Sequence, residues 1–174
     1  MSKKHLFSLA LTAVFVAITV VLSRFLSINI WNMSIGFSFV SVMLCGMLLG
    51  PLWGGLCGGL ADLIGAILFP FGVYFPGFTA TAFFKGAVFG AVGRLAERQR
   101  KKSRFIVLAV LILALSEGVF SLLLNSLWIS VLYGTPFVAV LVSRIPLCAV
   151  TFILQAVFAL VLKEGILPKI RKEI

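Results

Sequence analysis

Long apolar segments separated by short polar turns fill almost the whole sequence. Several are long enough to cross the hydrocarbon core of a bilayer, which is about 30 Å thick. The second segment is short for a full crossing, so it must begin earlier, tilt, or thin the bilayer locally. The pattern predicts six helices, bounded by the polar turns: Leu6–Leu26, Ile35–Leu49, Leu52–Phe69, Phe78–Leu95, Phe105–Trp128 and Phe137–Leu162.

Composition indicates a membrane protein. The 174 residues are 61% hydrophobic and only 11% charged, whereas charged residues make up about 25% of a typical soluble domain. We therefore predict an all-α integral membrane protein, a compact single-domain bundle over residues 1–174. The three cysteines lie inside apolar runs without metal-ligand spacing and are expected to be small core residues. No metal site or cofactor is predicted.

The net charge of +10 reflects membrane topology rather than nucleic-acid binding. With six crossings, almost all basic residues outside the apolar runs fall on one side of the membrane, and only Arg24 falls on the other. The positive-inside rule then predicts cytoplasmic termini. The residues on the basic side are Lys3, Lys4, Arg94, Arg98, Arg100, Lys101, Lys102, Arg104, Lys163, Lys169, Arg171 and Lys172.

The break between the third and fourth helices is rich in aromatic residues. It reads FPFGVYFPGFTATAFFK from Phe69 to Lys85. Turn formation explains the prolines and glycines but not the aromatic density, nor a lysine inside the following apolar segment. An interfacial aromatic belt is one explanation. The other is a binding site for a flat ring, roofed by this loop.

Four charged side chains lie within the apolar segments, and their charges sum to zero: Asp62, Lys85, Glu117 and Arg144. Charges in a bilayer are costly, so these residues should face the bundle interior. Counting from the helix ends places Asp62, Lys85, Asn125 and Arg144 about 10 Å below the outer surface, with Glu117 deeper. A purely structural explanation is an Asp62–Lys85 salt bridge, with Glu117 and Arg144 satisfied by neighbours.

The functional alternative is a pocket open to the outside. Trp31, Tyr74 and Phe75 would clamp a flat heteroaromatic ring, and Asp62 or Asn125 would pair with ring nitrogens. Arginine or lysine side chains would take carboxylates, which arginine binds with two parallel hydrogen bonds. A small membrane enzyme acting on a lipid remains a second hypothesis, although the sequence has no zinc motif, nucleophile elbow or phosphate-binding loop.

The chain resembles the substrate-binding subunits, or S components, of energy-coupling-factor (ECF) vitamin transporters. Six predicted helices in a short chain and the Ala13-x-x-x-Ala17 motif carry this resemblance. The loop sequence FPGFT from Phe75 to Thr79, the following TAFFKG, Asn125 and Arg144-Ile145-Pro146 are similar to the folate-specific subfamily. Other vitamins (riboflavin, thiamine or pantothenate) remain alternatives.

The resemblance implies capture of a vitamin at the outer face of a bacterial cell membrane. It also implies a transmembrane coupling subunit and two cytoplasmic ATPase subunits as partners, with Ala10, Ala13 and Ala17 on the docking face of the first helix. The residues and the resemblance together predict these ligand-binding residues: Arg24, Trp31, Asn32, Asp62, Tyr74, Phe75, Thr79, Lys85, Asn125 and Arg144.

Overall fold

A computed structural model describes residues 3–25, 27–30, 33–70, 72–99 and 101–166. Helices make up most of this part of the chain, and one continuous helical segment changes from α- to π-helical geometry and back. The helices are α1 (Lys3–Phe25), α2 (Ser38–Leu49), α3 (Pro51–Leu68), α4 (Pro76–Arg98), α5 (Lys102–Ser116), π1 (Glu117–Leu124), α6 (Asn125–Tyr133), α7 (Phe137–Val161) and π2 (Leu162–Ile166).

A short β-hairpin between α1 and α2 is an addition to the predicted helical bundle. Strands β1 (Ser27–Ile30) and β2 (Met33–Gly36) pair antiparallel, with Ser27 opposite Gly36. Residues 27–34 were predicted to be a loop, and residues 35–36 the start of the second helix. The strands read SINI and MSIG, in which polar or small residues alternate with apolar ones. That period of two is typical of strands.

The predicted helix order is confirmed, with shifts at the ends. Helix α2 begins at Ser38 and has 12 residues, so it starts later than predicted and the idea of an earlier start is wrong. Among the described residues, four helical segments are long and apolar enough to cross a membrane: His5–Phe25, Pro51–Leu68, Lys102–Tyr133 and Phe137–Gly165. The chain is therefore a membrane protein with a helical core.

Glycines bring α2, α3 and α4 into close contact. A Cβ on Gly54 would lie 2.5 Å from the Gly86 carbonyl oxygen and 2.7 Å from the Gly46 Cα. A Cβ on Gly58 would lie 2.5 Å from the Ala82 carbonyl oxygen. Small residues allow such backbone approach between membrane helices. These contacts fix the register of α3 against α4: Gly54 lies beside Gly86, and Gly58 beside Ala82.

We expect Gly54→Ala to destabilise the protein by about 1–3 kcal/mol, because the new methyl group would meet backbone atoms on two helices. Gly118→Ala is the matched control, since a Cβ there meets no atom within 4 Å in the described structure. Thermal unfolding in detergent measures both. Equal melting temperatures for the two variants would contradict this account of the packing.

The buried core supports the interpretation of the cysteines. Cys45, Cys57 and Cys148 are free and buried. Cys45 and Cys57 pack with fully buried side chains such as Met43 and Phe105. Among the described residues, no group of three or more His, Cys, Asp or Glu side chains is arranged to hold a metal ion.

Candidate functional site

A cavity of about 500 Å³ lies at the end of the bundle where the α3–α4 loop connects. Its walls come from α1, α2, α3, α4, α6 and α7. Seven of the predicted ligand-binding residues line it: Arg24, Asp62, Tyr74, Phe75, Lys85, Asn125 and Arg144. Trp31 and Asn32 lie outside the described residues. The fold thus brings these seven residues, which are distant in sequence, to one cavity, and their contact with a ligand stays a prediction.

The α3–α4 loop forms one side of the cavity through Pro70, Gly72, Val73, Tyr74 and Phe75. The Phe75 ring packs against Phe78 at 6.2 Å and against Trp128 at 5.4 Å between ring centroids. Such edge-on and tilted arrangements are favourable for aromatic pairs. The Trp128 indole nitrogen donates a hydrogen bond to Thr81 Oγ1 at 3.2 Å. Phe75 is therefore packed against Phe78 and Trp128 beside the cavity.

Thr79 supports the site without lining the cavity. Its hydroxyl donates to Asp62 Oδ2 at 2.7 Å and lies 3.2 Å from the Tyr74 hydroxyl. A hydroxyl has a single proton, so the Tyr74 hydroxyl is the donor in the second bond. Thr79 thus orients one carboxylate and one aromatic residue. Direct contact of Thr79 with a ligand stays a prediction.

The predicted Asp62–Lys85 salt bridge is wrong. The packing of Gly58 against Ala82 and of Gly54 against Gly86 places Asp62 level with Thr79. Lys85 lies about 9 Å further along α4 from the loop. The sequence analysis estimated the depth of each residue by counting from the ends of the α3–α4 loop, and this count did not detect the offset between α3 and α4. Thr79 lies on α4 at the level of Asp62, and it donates a hydrogen bond to Asp62.

Lys85 pairs with Glu117 instead. Lys85 Nζ lies 2.8 Å from Glu117 Oε2 and donates to Ser121 Oγ at 2.5 Å. Gln155 Nε2 donates to the same Glu117 oxygen at 3.2 Å. Because Lys85 is on α4, Glu117 on π1 and Gln155 on α7, this network joins three helical elements beneath the cavity.

Two arginines, one on α1 and one on α7, line the cavity. Arg24, in the last turn of α1, interacts electrostatically with Asp62. Its guanidinium lies against α3 where Gly65 has no side chain, since a Cβ there would be 2.8 Å from Arg24 Nε. Arg144 on α7 is buried and also lines the cavity. Arg24 thus supplies the positive charge near Asp62 that the sequence-based prediction assigned to Lys85.

Asn125 combines an unusual backbone position with an unsatisfied polar atom. It begins α6 immediately after π1, and π-helical turns are frequent at functional sites. Its Oδ1 atom is buried and accepts no hydrogen bond from the described residues. Because buried polar atoms are nearly always paired, an amide facing a cavity in this state is suited to a polar ligand.

Sequence reasoning missed part of the lining. Phe39, Phe89 and Tyr133 also line the cavity, as does Ser23. The three aromatic residues lie on apolar helices, where nothing in the sequence separates a pocket residue from a core or lipid-facing one. Ser23 lies one turn after Thr19 on α1. This pair of polar residues on one helix face is the sequence signal that could have identified Ser23 as a cavity residue.

The outward face of α1 is the second predicted site. Ala10, Ala13 and Ala17 are exposed, whereas Thr12 and Val16 beside them on the helix surface are buried. The alanine face is therefore available to another protein, although contact with a partner stays a prediction.

A family model described as "ECF transporter, substrate-specific component" matches residues 7–163. The chain belongs to this family. The family consists of transporter components rather than enzymes, which does not support the alternative of a lipid-modifying enzyme.

Solved structures and a curated relative resemble the chain. The folate transporter FolT of Clostridium novyi (strain NT) is 32% identical over 145 residues, covering 83% of this chain and 81% of the relative. A crystal structure of FolT bound with folic acid matches with a TM-score of 0.77 and 32% identity, covering 90% of this chain and 92% of that one. An S component for biotin has a TM-score of 0.67 at 21% identity, covers 95% of each chain, and supports the fold alone.

Proposed function

We propose that this chain captures folate or a reduced folate at the outer face of a bacterial cell membrane, as the substrate-specific subunit of an ECF transporter. The observation that carries the proposal is the cavity, which combines an aromatic wall, acid and amide groups, and cationic side chains. The similarity of the chain to FolT, including the FolT structure bound with folic acid, supports folate as the vitamin.

The chemistry of folate complements this cavity. Folate has a flat pterin ring, a benzoyl ring and a dicarboxylate tail. Tyr74 and Phe75 provide aromatic faces for the rings, and Asp62 or Asn125 provides hydrogen-bonding partners for ring nitrogens. A guanidinium binds a carboxylate in a defined geometry, so Arg144 or Arg24 is suited to the tail. We include Trp31 and Asn32 in the site on the sequence-based prediction alone.

We propose six crossings with both termini in the cytoplasm. Helices α2 and α4 add to the four apolar spans, and the basic residues then collect on one side of the membrane, as the positive-inside rule requires. The cavity lies at the opposite end of the bundle, near the α3–α4 and α6–α7 connections. With this orientation it opens to the outside.

Energy for uptake would come from partner proteins. The sequence contains no phosphate-binding loop, which agrees with two ATPase subunits acting through a transmembrane coupling subunit. The exposed face of α1 with Ala10, Ala13 and Ala17 is the proposed contact for that coupling subunit.

The ligand can be identified directly. Mass spectrometry of the small molecules released from purified, denatured protein should detect a folate. Finding riboflavin, thiamine or pantothenate in equal proportion to protein, and no folate, would assign the chain to another vitamin.

We expect Ala13→Trp to abolish folate uptake in the presence of the partner subunits while leaving folate binding by the isolated chain unchanged. A bulky side chain on a small-residue face holds two helices apart, and Ala13 is remote from the cavity lining. Ala17→Trp should behave alike. Ala114→Trp, on an exposed position of α5, is the control. Wild-type uptake by both α1 variants would argue against this docking face.

A further inference from the structure

Trp128 on α6 packs against the junction between the α3–α4 loop and α4. Its ring centroid lies 5.4 Å from that of Phe75, and the two ring planes are inclined by 43°. The Phe75 ring also packs edge-on against Phe78, at 6.2 Å between centroids. Among the described residues, Phe75 and Phe78 belong to the cavity wall, whereas Trp128 does not. Trp128 therefore contacts a residue of the cavity wall without being part of that wall.

Two hydrogen bonds connect the Trp128 indole to the first turn of α4. Trp128 Nε1 donates to Thr81 Oγ1 at 3.2 Å, and Thr81 Oγ1 donates to the Gly77 carbonyl oxygen at 2.7 Å. A threonine hydroxyl has one proton and two lone pairs, so it can make both bonds at once. Thr81 is buried, so these bonds are shielded from solvent. They attach α6 to the start of α4 in a defined orientation.

Gly77 leaves the space that this contact requires. A Cβ at Gly77 would lie 2.6 Å from Cε1 of Phe75 and 2.7 Å from Cε2 of Trp128. These distances are too short for ordinary van der Waals contact, so a larger residue would displace the two rings. Gly77 lies in the first turn of α4 and does not have a positive φ. Close packing, rather than backbone conformation, therefore explains the glycine of the loop sequence FPGFT.

We propose that Trp128 is a positioning residue of the folate site, which holds the Phe75 ring in place for the flat rings of the ligand without contacting the ligand itself. This inference rests on the proposed function, because it concerns the aromatic wall that faces those rings. Binding costs less free energy when the side chains of the site are already ordered. An anchored Phe75 ring therefore increases the affinity for the ring system of folate, and this effect is independent of the charged tail.

A pair of substitutions tests whether Trp128 acts through Phe75. Trp128→Leu removes the indole, and Phe75→Leu removes the ring beside it while keeping an apolar side chain. Two residues that act through one contact have non-additive effects. We expect Trp128→Leu to weaken folic acid binding at least fivefold in the wild-type background and less than twofold in the Phe75→Leu background. A first loss below fivefold, or a second loss of twofold or more, would overturn the inference.

The titrations use the purified full-length protein in detergent, with folic acid and with pteroic acid, which has both rings and lacks the glutamate tail. Trp128→Leu should weaken the binding of the two ligands by factors that agree within threefold, and a larger difference would overturn the inference.

Trp53→Leu is the matched control. Trp53 packs against the hydrophobic core and, in the described structure, is not part of the cavity wall. Its loss should lower the melting temperature while folic acid affinity stays within twofold of wild type. An equal loss of affinity in Trp53→Leu and Trp128→Leu would indicate a general effect of removing an indole, and would overturn the inference.

Gly77→Ala provides a test that does not depend on the folding of Trp128→Leu. Its methyl group would displace the rings of Phe75 and Trp128, so folic acid binding should weaken at least threefold, and a smaller loss would overturn the inference. Gly118→Ala should leave binding unchanged, since a Cβ there meets no atom within 4 Å in the described structure. Wild-type protein that binds neither folic acid nor pteroic acid would instead reject the proposed function, so the two failures are distinguishable.

Discussion

Lys85→Met should lower the stability of the protein by about 3 kcal/mol or more, because it removes the hydrogen-bonded partner of a buried carboxylate. Breaking a buried ion pair from one side typically costs about 3–5 kcal/mol. The pair in question is Lys85 Nζ with Glu117 Oε2, at 2.8 Å. Glu117→Gln should be destabilising for the same reason, since it leaves the ammonium without its counter-charge.

The double variant Lys85→Met/Glu117→Gln should recover much of the lost stability, since neither charge is then stranded. Combining Lys85→Met with Asp62→Asn is the matched control and should give no recovery, because Asp62 bonds to Thr79 and interacts with Arg24. Melting curves of the four variants in detergent measure this. Recovery in the Asp62 combination alone would show that Lys85 is paired with Asp62 after all.

Arg144→Ala should reduce folate affinity tenfold or more while leaving the melting temperature near that of wild type. A tenfold loss corresponds to about 1.4 kcal/mol. Stability is preserved because Glu117 keeps its ion pair with Lys85 and its hydrogen bond from Gln155. Affinity falls because the variant lacks the guanidinium that is proposed to bind a ligand carboxylate.

The control for Arg144→Ala is Arg104→Ala, an exposed position near the start of α5 and away from the cavity. Each variant needs a binding isotherm with folic acid and a melting curve. If the Arg144→Ala protein unfolds, or binds folate as tightly as wild type, then Arg144 does not bind the ligand and the proposed site is wrongly placed.

The helices and the aromatic loop could be predicted because their signals are local. Apolar length and the Gly50-Pro51 break define α2 and α3, where Gly50 has a φ of 102° and Pro51 begins the next helix. The cluster of Tyr74 and Phe75 after Pro70 likewise indicates an aromatic wall from the sequence alone, and both residues line the cavity. The helix boundaries and the aromatic wall depend on amino-acid composition and on turn-forming residues, and both can be read directly from the sequence.

Charge pairing could not be predicted because it depends on how neighbouring helices are offset. Glycine contacts between α3 and α4 determine that offset, and they place Asp62 beside Thr79 rather than Lys85. The π-helical turns of π1 are equally hidden in the sequence, although they set where Glu117 lies relative to Asn125. Arg24 was predicted to be a ligand-binding residue, but its interaction with Asp62 could be found only from the position of α1 in the fold.

The most direct test of folate capture is isothermal titration of the purified chain in detergent with folic acid, alongside riboflavin, thiamine and pantothenate. We predict saturable, tight binding of folic acid with one ligand for each chain, and no heat of binding for the other three. No heat with folic acid or a reduced folate, together with saturable binding of another vitamin, would contradict the account.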